Sequence, residues 1–272
     1  MLYSSIDPRL TATQRPMLAQ SIALTDVRGT VFVQPKFDGI RAVFCPQTQA
    51  FYTRNGKPLR SCDHLVQALR ARGLNHEALD GEIYRHDLPF DVISGLARRQ
   101  TASVETEQLQ FHVFDRIHPS DTMQDRIAWL SGLVSCEHIK IVPTYSATRA
   151  TVSEYYQMFL DSGFEGMIVR DPDDRYRPGS RTLGKIKPVQ DMEAILVGFA
   201  TSRSAQHRET FGALILQLAS GKTFQCAGIE EDVRQQLWQT QPLGAPITVK
   251  YQELSPNGIP RFPRFKAIRH DL

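Results

Sequence analysis

The chain has 272 residues, 41% hydrophobic and 22% charged, and is long enough to bury one large core or two smaller ones. A net charge of +3 permits a nucleic-acid partner without requiring one, and no run of about 18 apolar residues predicts a membrane span. Four widely spaced cysteines argue against a zinc site or a disulfide framework. Because the first residues lack the pattern of a secretory signal, we expect a cytoplasmic protein.

The first two thirds of the chain predict strands and helices in mixed order. The apolar spacing of residues 62–72 predicts a helix that begins near Asp63 and ends before Gly73. A second helix is predicted at 121–134, and a third from Thr151 or Ser153 to Gly163, because glycine suits the left-handed C-cap conformation. Apolar runs bounded by turn residues predict strands at 31–35, 41–45, 50–53, 78–84, 109–117, 164–170 and 183–188.

Beyond Pro188 the pattern changes to short strands, with one helix predicted at 230–239. The predicted strands lie at 193–200, 211–218, 222–227, 246–253 and 264–269. Five strands and one helix in a segment of this length are typical of a small closed barrel such as an OB-fold. We therefore predict an α+β protein with two domains, 1–188 and 189–272.

Several charged residues lie within or beside the predicted apolar strands, where a core excludes charge unless it is paired, binds a metal or faces a site. They are Lys36, Glu82, Glu165, Lys185 and Lys187. Lys36 precedes the turn signal Asp38-Gly39, and alternation at period two places Lys185 and Lys187 on one face. Each feature alone fits a solvated strand. Their occurrence in order on successive strands indicates a shared site.

With these residues in place, the chain resembles the covalent nucleotidyltransferase superfamily and, within it, the ATP-dependent DNA ligases. Residues 36–41, Lys-Phe-Asp-Gly-Ile-Arg, are similar to the family's nucleophile motif I. The further matches follow in the family's order, with motif Ia at 54–56, motif III at 79–83, motif IIIa at 111–115, motif IV at 164–170 and motif V at 185–187. Each motif is weak alone, whereas six in order before a predicted barrel carry the resemblance.

The resemblance implies an ATP-grasp-like adenylation domain of antiparallel sheets with helices, followed by an OB-fold β-barrel. It implies a ligase that seals 3′-hydroxyl/5′-phosphate nicks in duplex DNA through a lysyl-AMP on Lys36. The implied cofactors are ATP, whose AMP forms the covalent adduct, and Mg²⁺, with Mn²⁺ as a substitute. The implied partner is nicked double-stranded DNA, bound by a monomer. The setting would be DNA repair, replication or recombination in a bacterium, or in a host cell for a virus-encoded enzyme.

The resemblance also implies roles for individual residues. The catalytic set is Lys36, Asp38, Arg41, Lys185 and Lys187. Phe114 would stack on the adenine and Gln34 would read its edge, with the remaining nucleotide contacts from Lys36, Arg41, Glu82, Lys185, Lys187 and Arg269. The metal would be held by Glu82 and Glu165. Arg41 would also contact the nick phosphate, and the further DNA contacts would be Arg54, Arg177, Arg181, Arg203 and Arg208.

Physical chemistry asks for these residue types. A lysine amine attacks phosphorus only when neutral, so cations near Lys36 would help by lowering its pKa from the ordinary value of about 10.4. Carboxylates and phosphate oxygens are the ligands that Mg²⁺ prefers, and the arginine fork binds phosphate in bidentate fashion.

Two features of the second domain qualify the resemblance. Residues 269–271 match the family's C-terminal Arg-x-Asp-Lys motif, but Leu272 stands in place of the lysine. Only a short turn at Ser220-Gly221 connects the second and third predicted barrel strands, which leaves no room for the long DNA-encircling insertion of some minimal ligases. We therefore expect a ligase without that latch.

Other functions stay open at this point. An RNA ligase or an mRNA guanylyltransferase would use the same scaffold, although capping enzymes commonly have threonine at the position of Phe37. A catalytically silent nucleic-acid-binding protein would use the barrel alone, without needing the charged set of the first domain. The NAD-dependent ligases are disfavoured because their zinc-binding cysteines are missing.

Overall fold

The computed structural model describes residues 15–202, 209–255 and 257–269. The chain divides into two compact units, one ending at Lys187 and the other beginning at Pro188. No helix in the described part is long and apolar enough to cross a membrane. The helices found there are α1 (Asp63–Ala71), α2 (Phe90–Ala97), α3 (Met123–Ser131), α4 (Val152–Asp161) and α5 (Glu231–Thr240).

The first unit contains two five-stranded sheets, which are antiparallel except for one parallel pair at an edge of each. Their strands are β1 (Ala19–Ser21), β2 (Thr30–Lys36), β3 (Ile40–Cys45), β4 (Ala50–Thr53), β5 (Leu79–Tyr84), β6 (Gln110–Arg116), β7 (Ile139–Ile141), β8 (Tyr145–Thr148), β9 (Gly166–Arg170) and β10 (Leu183–Ile186). The strand orders are β1-β10-β9-β2-β8 and β4-β3-β5-β6-β7. The seven strands predicted in this region are confirmed. The additions β1, β7 and β8 have three or four residues each and too little alternation to be recognised.

Each sheet buries its apolar face against helices. Helix α1 packs Leu65 and Leu69, both fully buried, onto the β4-β3-β5-β6-β7 sheet, where Phe111 is also fully buried. Helix α4 places Phe159 against Met167 and the other sheet. Burial of each such side chain stabilises the fold by roughly 1.5–3 kcal/mol. The sheets thereby form rigid supports for the strand ends that carry the charged residues.

The predicted helix ends are found with one local difference. Helix α3 begins with a capping box, because the Thr122 hydroxyl accepts from the Asp125 backbone N–H and the Asp125 carboxylate accepts from the Thr122 backbone N–H. Thr151 precedes α4 as predicted, but its hydroxyl accepts from the backbone N–H of Thr148. Gly163 follows α4 with φ of 80°, the left-handed conformation expected there.

The second unit is built on an antiparallel sheet with the order β13-β12-β11-β14-β17. Its strands are β11 (Gln190–Ala200), β12 (Ala213–Gln217), β13 (Thr223–Cys226), β14 (Pro246–Tyr251) and β17 (Arg264–Ile268), and a separate pair is formed by β15 (Glu253–Leu254) and β16 (Pro260–Arg261). Helix α5 buries Leu237 against this sheet. All five predicted strands and the helix are confirmed.

The closed barrel expected for this unit is corrected in one respect. Among the described residues, the edge strands β13 and β17 are joined only through the isolated bridge between Ala227 and Arg264. Strand β13 ends at Cys226, and Gly228 turns the chain with φ of 74°, so few residues remain to pair with β17. The unit is therefore an OB-like sheet without a continuous closing ladder.

The connection between β12 and β13 is a tight hairpin, as predicted. The Leu218 N–H donates to the Lys222 carbonyl at 2.9 Å, and Gly221 adopts φ of 80°. A non-glycine residue in that conformation would be strained. No long insertion lies between these two strands.

Candidate active site

Lys36 lies at the end of β2 and meets Glu165 at the start of β9. The two strands pair in this region, and the backbone N–H of Glu165 donates to the Lys36 carbonyl at 2.9 Å. The Lys36 ammonium forms an ion pair with Oε2 of Glu165, while the Lys187 ammonium contacts Oε1 of the same carboxylate. One carboxylate thus links two of the lysines that the sequence predicted to share a site.

Two glycines permit these close approaches. A Cβ on Gly39 would lie 2.5 Å from the Ile83 carbonyl oxygen, so a side chain there would separate the turn after Lys36 from β5. A Cβ on Gly166 would lie 2.2 Å from the Ile186 carbonyl oxygen, and its φ of 152° is rarely adopted by other residues. The glycines of motifs I and IV are therefore required by backbone packing beside the lysines.

Two adjoining cavities open beside Lys36, and both are lined by Lys36, Arg41, Glu82 and Ile168. The smaller is a narrow slot of about 50 Å³, whose other lining residues include Gln34, Phe114, Arg170 and Leu183. The larger has a volume of about 510 Å³ and adds Arg54, Arg181 and Lys185. The predicted nucleotide contacts of the first unit, apart from Lys187, thus line these two adjoining cavities.

The walls of the slot are held in place by neighbouring contacts. The buried Gln34 donates from Nε2 to the Phe114 carbonyl at 3.1 Å and to the Thr144 hydroxyl at 2.8 Å. The Phe114 ring lies 4.5 Å from the guanidinium carbon of Arg41 and 5.4 Å from that of Arg170. Gln34 is therefore oriented by the chain itself, and Phe114 presents a ring that already packs against guanidinium groups.

Glu82, on β5, lies directly opposite Arg41 of β3 in the sheet register. Burial raises the pKa of its carboxyl to about 7, although Lys36, Arg41 and the backbone N–H of Gly39 act in the opposite direction. A carboxyl with this pKa changes charge within the physiological range. That behaviour is typical of carboxyls at functional sites.

A stability measurement can test this placement of Glu82. Because its pKa is raised on folding, Glu82 stabilises the folded state fully below pH 4.5, and this contribution is lost as pH rises through about 7. Glutamine mimics the protonated carboxyl. Without metal ions, Glu82→Gln should therefore raise the free energy of unfolding at pH 8 by about 1–2 kcal/mol, a value reduced for partial exposure. The difference should vanish at pH 4.

Urea denaturation in EDTA-containing buffer from pH 4 to pH 8 measures this effect. The exposed Glu107→Gln variant serves as the control, because its side chain lies away from the cavity on the protein surface. Stability differences for Glu82→Gln that do not vary with pH would contradict the buried environment described for this carboxyl.

Lys185 lies on β10 and faces the larger cavity. Burial lowers the pKa of its ammonium, and the positive charges of Lys36, Arg181 and Arg54 lower it further. The charged forms of these cations repel one another, and a bound anion stabilises all of them at once. The arrangement therefore favours binding of a polyanion such as a nucleotide or a nucleic-acid phosphate.

A third cavity, of about 530 Å³, is lined by Arg15, Arg54 and Arg181 together with the 54–56 turn. We refer to this space as the three-arginine cavity. Two of the predicted DNA contacts, Arg54 and Arg181, both line this cavity, whereas the exposed Arg177 pairs with Asp174 and does not line it. Sequence reasoning missed Arg15. The available signal was a basic residue directly before Pro16 in the segment that precedes the first predicted strand.

Arg41, which was predicted to contact the nucleotide and the nick phosphate, is held by residues of its own unit. Its guanidinium donates to both carboxylate oxygens of the fully buried Asp80, at 2.7 and 2.6 Å, and to the Met17 carbonyl at 3.2 Å. Burial opposes the charge, but the Asp80 carboxylate outweighs it and raises the pKa of Arg41 above its ordinary value. These contacts connect β3, β5 and the segment before β1, and the predicted contact of Arg41 with a nick phosphate stays a prediction.

A second buried ion cluster was not foreseen from the sequence. Asp115, fully buried after Phe114, accepts from Nε of Arg126 at 2.7 Å and from Nη1 of Arg170 at 2.7 Å. Arg170 also lines the slot. The cluster connects β6, α3 and β9 directly beneath the slot.

Two more residues line the larger cavity, Phe90 at the start of helix α2 and Arg98 directly after its end. Arg98 belongs to a basic pair at the end of α2, and its neighbour Arg99 instead pairs with Glu105. The basic pair was visible in the sequence, but only the fold distinguishes its two members.

The other predicted site residues in the described part of the chain do not line the cavities beside Lys36. Asp38 follows Lys36 in the turn and is partly buried. Arg269, in the second unit, forms an exposed ion pair with Glu193 of β11. Arg203 and Arg208 lie outside the described residues, as do residues 270–272. Their predicted roles stay predictions.

The predicted metal ligands Glu82 and Glu165 both lie beside Lys36, and the two oxygens of Glu165 are ion-paired with Lys36 and Lys187. In the part of the chain that is described, no three histidine, cysteine, aspartate or glutamate side chains cluster as a metal site. Two carboxylates nevertheless fit Mg²⁺, because this ion usually takes one or two of them and completes its shell with phosphate oxygens and water.

Comparison with known proteins gives consistent results for both units. Residues 16–187 match the model of the ATP dependent DNA ligase domain, and residues 204–269 match the DNA ligase OB-like domain. The DNA ligase of African swine fever virus (isolate Pig/Kenya/KEN-50/1950) is 28% identical over 277 residues, covering 88% of this chain and 64% of the viral protein. The chain thus spans less than two thirds of that relative.

Two solved structures share the fold. A Lig E DNA ligase superposes with a TM-score of 0.73 at 21% identity, covering 93% of this chain and 98% of the other. The Chlorella virus DNA ligase-adenylate matches with a TM-score of 0.53 at 25% identity, covering 95% of this chain and 99% of its own. The architecture is therefore that of a two-domain ligase.

Proposed function

We propose, since this chain belongs to the ATP-dependent DNA ligase family, that it seals nicks in duplex DNA that carry 3′-hydroxyl and 5′-phosphate ends. The observation that carries the proposal is the position of Lys36, which lies on the wall of the nucleotide-sized cavity and in an ion pair with Glu165. A pure binding protein has no need of a lysine beside a carboxylate at such a place.

In the first step, the neutral amine of Lys36 attacks the α-phosphorus of ATP after its ammonium has lost one proton. A nitrogen–phosphorus bond forms as the bond from the α-phosphorus to its bridging oxygen breaks, the attacking nitrogen loses a second proton to solvent, and pyrophosphate leaves. The product is a phosphoramidate between Lys36 and AMP. The ion pair with Glu165 holds the lysine at the cavity wall before ATP binds. Positioning and charge stabilisation supply most of the catalysis.

The other residues of the cavity have distinct parts in this proposal. Phe114 stacks on the adenine, Gln34 contacts the base edge, and Glu82 holds the ribose. Lys185 and Lys187 bind the α-phosphate, and the lowered pKa of Lys185 supports a site preformed for an anion.

Glu82 and Glu165 would hold Mg²⁺, or Mn²⁺ in its place. When bound, the metal supplies neutralisation of the charge that develops on the phosphate oxygens.

The second and third steps join the DNA. The AMP passes from Lys36 to the 5′-phosphate at the nick, forming a phosphoanhydride and releasing the lysine amine. The 3′-hydroxyl then attacks the phosphorus of that 5′-phosphate and loses its proton to solvent, a phosphodiester forms as the anhydride bond to AMP breaks, and AMP leaves. We place the 5′-phosphate in the three-arginine cavity, because Arg54 and Arg181 line both this cavity and the one that contains Lys36. Arginine forks bind phosphate in bidentate fashion.

The test of the function is a nick-sealing assay with purified protein. We expect a labelled protein–AMP adduct with ATP, and joined product on a nicked DNA duplex with ATP but not with NAD. Sealing confined to nicks with RNA ends would indicate an RNA ligase, and a protein–GMP adduct would indicate a guanylyltransferase. DNA binding without formation of an adduct would indicate a nucleic-acid-binding protein that has no ligase activity. Sedimentation during turnover tests the monomeric state.

The placement of the 5′-phosphate predicts unequal effects for two neighbouring arginines. Arg181→Ala should raise the KM for nicked DNA about tenfold, because a charged hydrogen bond contributes about 1.5–3 kcal/mol. It should also make the logarithmic salt dependence of binding shallower by about 1. Arg177→Ala is the matched control, since Arg177 is exposed and paired with Asp174. Equal losses in both variants would contradict the placement.

A further inference from the structure

Tyr176 is a buried residue in a loop whose other side chains are mostly polar. The loop runs from β9 to β10 and carries Arg177 and Arg181. Tyr176 is only 1% exposed, and its ring packs with Met17 and Leu183. A tyrosine held this deeply in a polar connection fixes the loop at that point.

The Tyr176 hydroxyl has a specific partner. It donates to Oδ2 of Asp80 at 2.6 Å, the same carboxylate that receives the guanidinium of Arg41. Burial, and then the Asp80 charge, raise the pKa of Tyr176 well above its ordinary value, so the hydroxyl keeps the proton that it donates. Asp80 is therefore a shared anchor for β3, β5 and the loop.

The same anchor reaches the segment that carries Arg15. Arg41 donates to the Met17 carbonyl at 3.2 Å, and the backbone N–H of Leu18 donates to the Ser180 carbonyl at 2.7 Å. Arg15 lies two residues before Met17, and Arg181 lies one residue after Ser180. Arg15 and Arg181, two of the arginines that line the three-arginine cavity, thus lie on segments that are connected to each other and, through Arg41, to Asp80.

We propose that Tyr176 is a positioning residue whose hydroxyl, through Asp80, sets Arg181 for recognition of the 5′-phosphate at a nick. This inference rests on the proposed function. The hydroxyl lies away from the reacting atoms, because the lining residues of the Lys36 cavities do not include Tyr176. Its loss should therefore affect selection of the DNA end and leave formation of the lysyl-AMP nearly unchanged.

The experiment uses the full chain and compares wild type with Tyr176→Phe, Arg181→Ala and the double variant. Phenylalanine keeps the ring and its packing while removing the hydroxyl. Tyr156→Phe is the matched control, because Tyr156 is a partly buried tyrosine on α4. Two quantities are measured on pre-adenylylated protein. They are the KM for a 5′-phosphate nick and the ratio of Kd values for 5′-hydroxyl and 5′-phosphate nicks.

We expect Tyr176→Phe to raise the KM for the 5′-phosphate nick about fivefold to tenfold, somewhat less than the direct loss of a hydrogen bond to a charged group would cause, because the hydroxyl acts on the phosphate through Arg181. The ratio of Kd values should fall toward that of Arg181→Ala, whereas the rate of adenylylation should change less than about twofold. The double variant should be little worse than Arg181→Ala alone, because the hydroxyl acts through that arginine.

Other outcomes overturn the inference. Effects of the two substitutions that multiply in the double variant would show that Tyr176 acts independently of Arg181. If Tyr176→Phe leaves the ratio of Kd values unchanged and lowers only the melting temperature, the hydroxyl has a structural role and does not position Arg181. If the wild-type protein forms an adduct and seals nicks but Tyr176→Phe behaves like wild type, the inference fails while the proposed function stands. If wild type forms no adduct, the proposed function itself fails.

Discussion

Lys36→Ala is expected to abolish formation of the protein–AMP adduct, lowering its rate by more than about a thousandfold, because alanine offers no nucleophile to the α-phosphorus. The fold should tolerate the change. Glu165 keeps its ion pair with Lys187 when Lys36 is removed. Incubation with α-labelled ATP, followed by denaturing electrophoresis, measures the adduct directly. Lys140→Ala is the control, since Lys140 lies on β7 and does not line the cavities that contain Lys36.

A second substrate separates lost chemistry from lost structure. A nick that already carries AMP on its 5′-phosphate needs only attack by the 3′-hydroxyl, so Lys36→Ala should still seal it. Retention of label by the variant protein would contradict the assignment of Lys36 as the nucleophile. Failure on both substrates, with an unfolded circular dichroism spectrum, would show a misfolded variant, for which Lys36→Arg is the replacement test.

Asp115→Ala is expected to lower the free energy of unfolding by about 3–5 kcal/mol, the usual cost of breaking a buried ion pair by removing one partner. Asp115 is fully buried and is the shared acceptor for Arg126 and Arg170, which are themselves 1% and 3% exposed. Its removal would leave two guanidinium groups buried beside each other. Urea denaturation at neutral pH measures the loss.

The control for this prediction is Asp121→Ala, which removes a partly exposed carboxylate paired with Arg116. Surface pairs contribute about 0–1 kcal/mol, so this variant should remain close to wild type. If the two variants lose equal stability, the cluster of Asp115, Arg126 and Arg170 does not support the fold as described. Because Arg170 also lines the slot, Asp115→Ala should in addition raise the KM for ATP.

Much of the fold follows from local patterns in the chain. Alternation and turn residues predicted the strands that carry Lys36, Glu82 and Lys185, because each is long enough for its apolar face to be recognised. The three short strands β1, β7 and β8 were not predicted, since their formation depends on pairing with strands distant in sequence. The closed barrel was predicted from the number of strands. Closure instead depends on how many residues after Cys226 can pair with β17, and only Ala227 does so in the described residues.

The candidate site shows the same division. Lys36, Glu82, Glu165 and Lys185 could be identified as candidate site residues from the sequence, because each is a charged residue in or beside an apolar strand. Burying a charge is costly unless the charge is paired, binds a metal or faces a site. Arg41 was assigned from its motif, but its partner Asp80 is reached only when β3 pairs with β5. The motif therefore marked Arg41 as a candidate site residue without showing that Asp80 is its partner, and the predicted role of Arg41 is still a prediction.

The sequence by itself determined the kinds of strands and helices and the order of the charged residues along them. These depend on side-chain periodicity and turn chemistry over a few neighbouring positions. The tertiary structure alone decided that Arg15 and Arg181 line one cavity and that Tyr176 and Arg41 share Asp80. The physical reason is that a buried carboxylate selects its partners by proximity in space, and Tyr176 lies 96 positions from Asp80 in the chain.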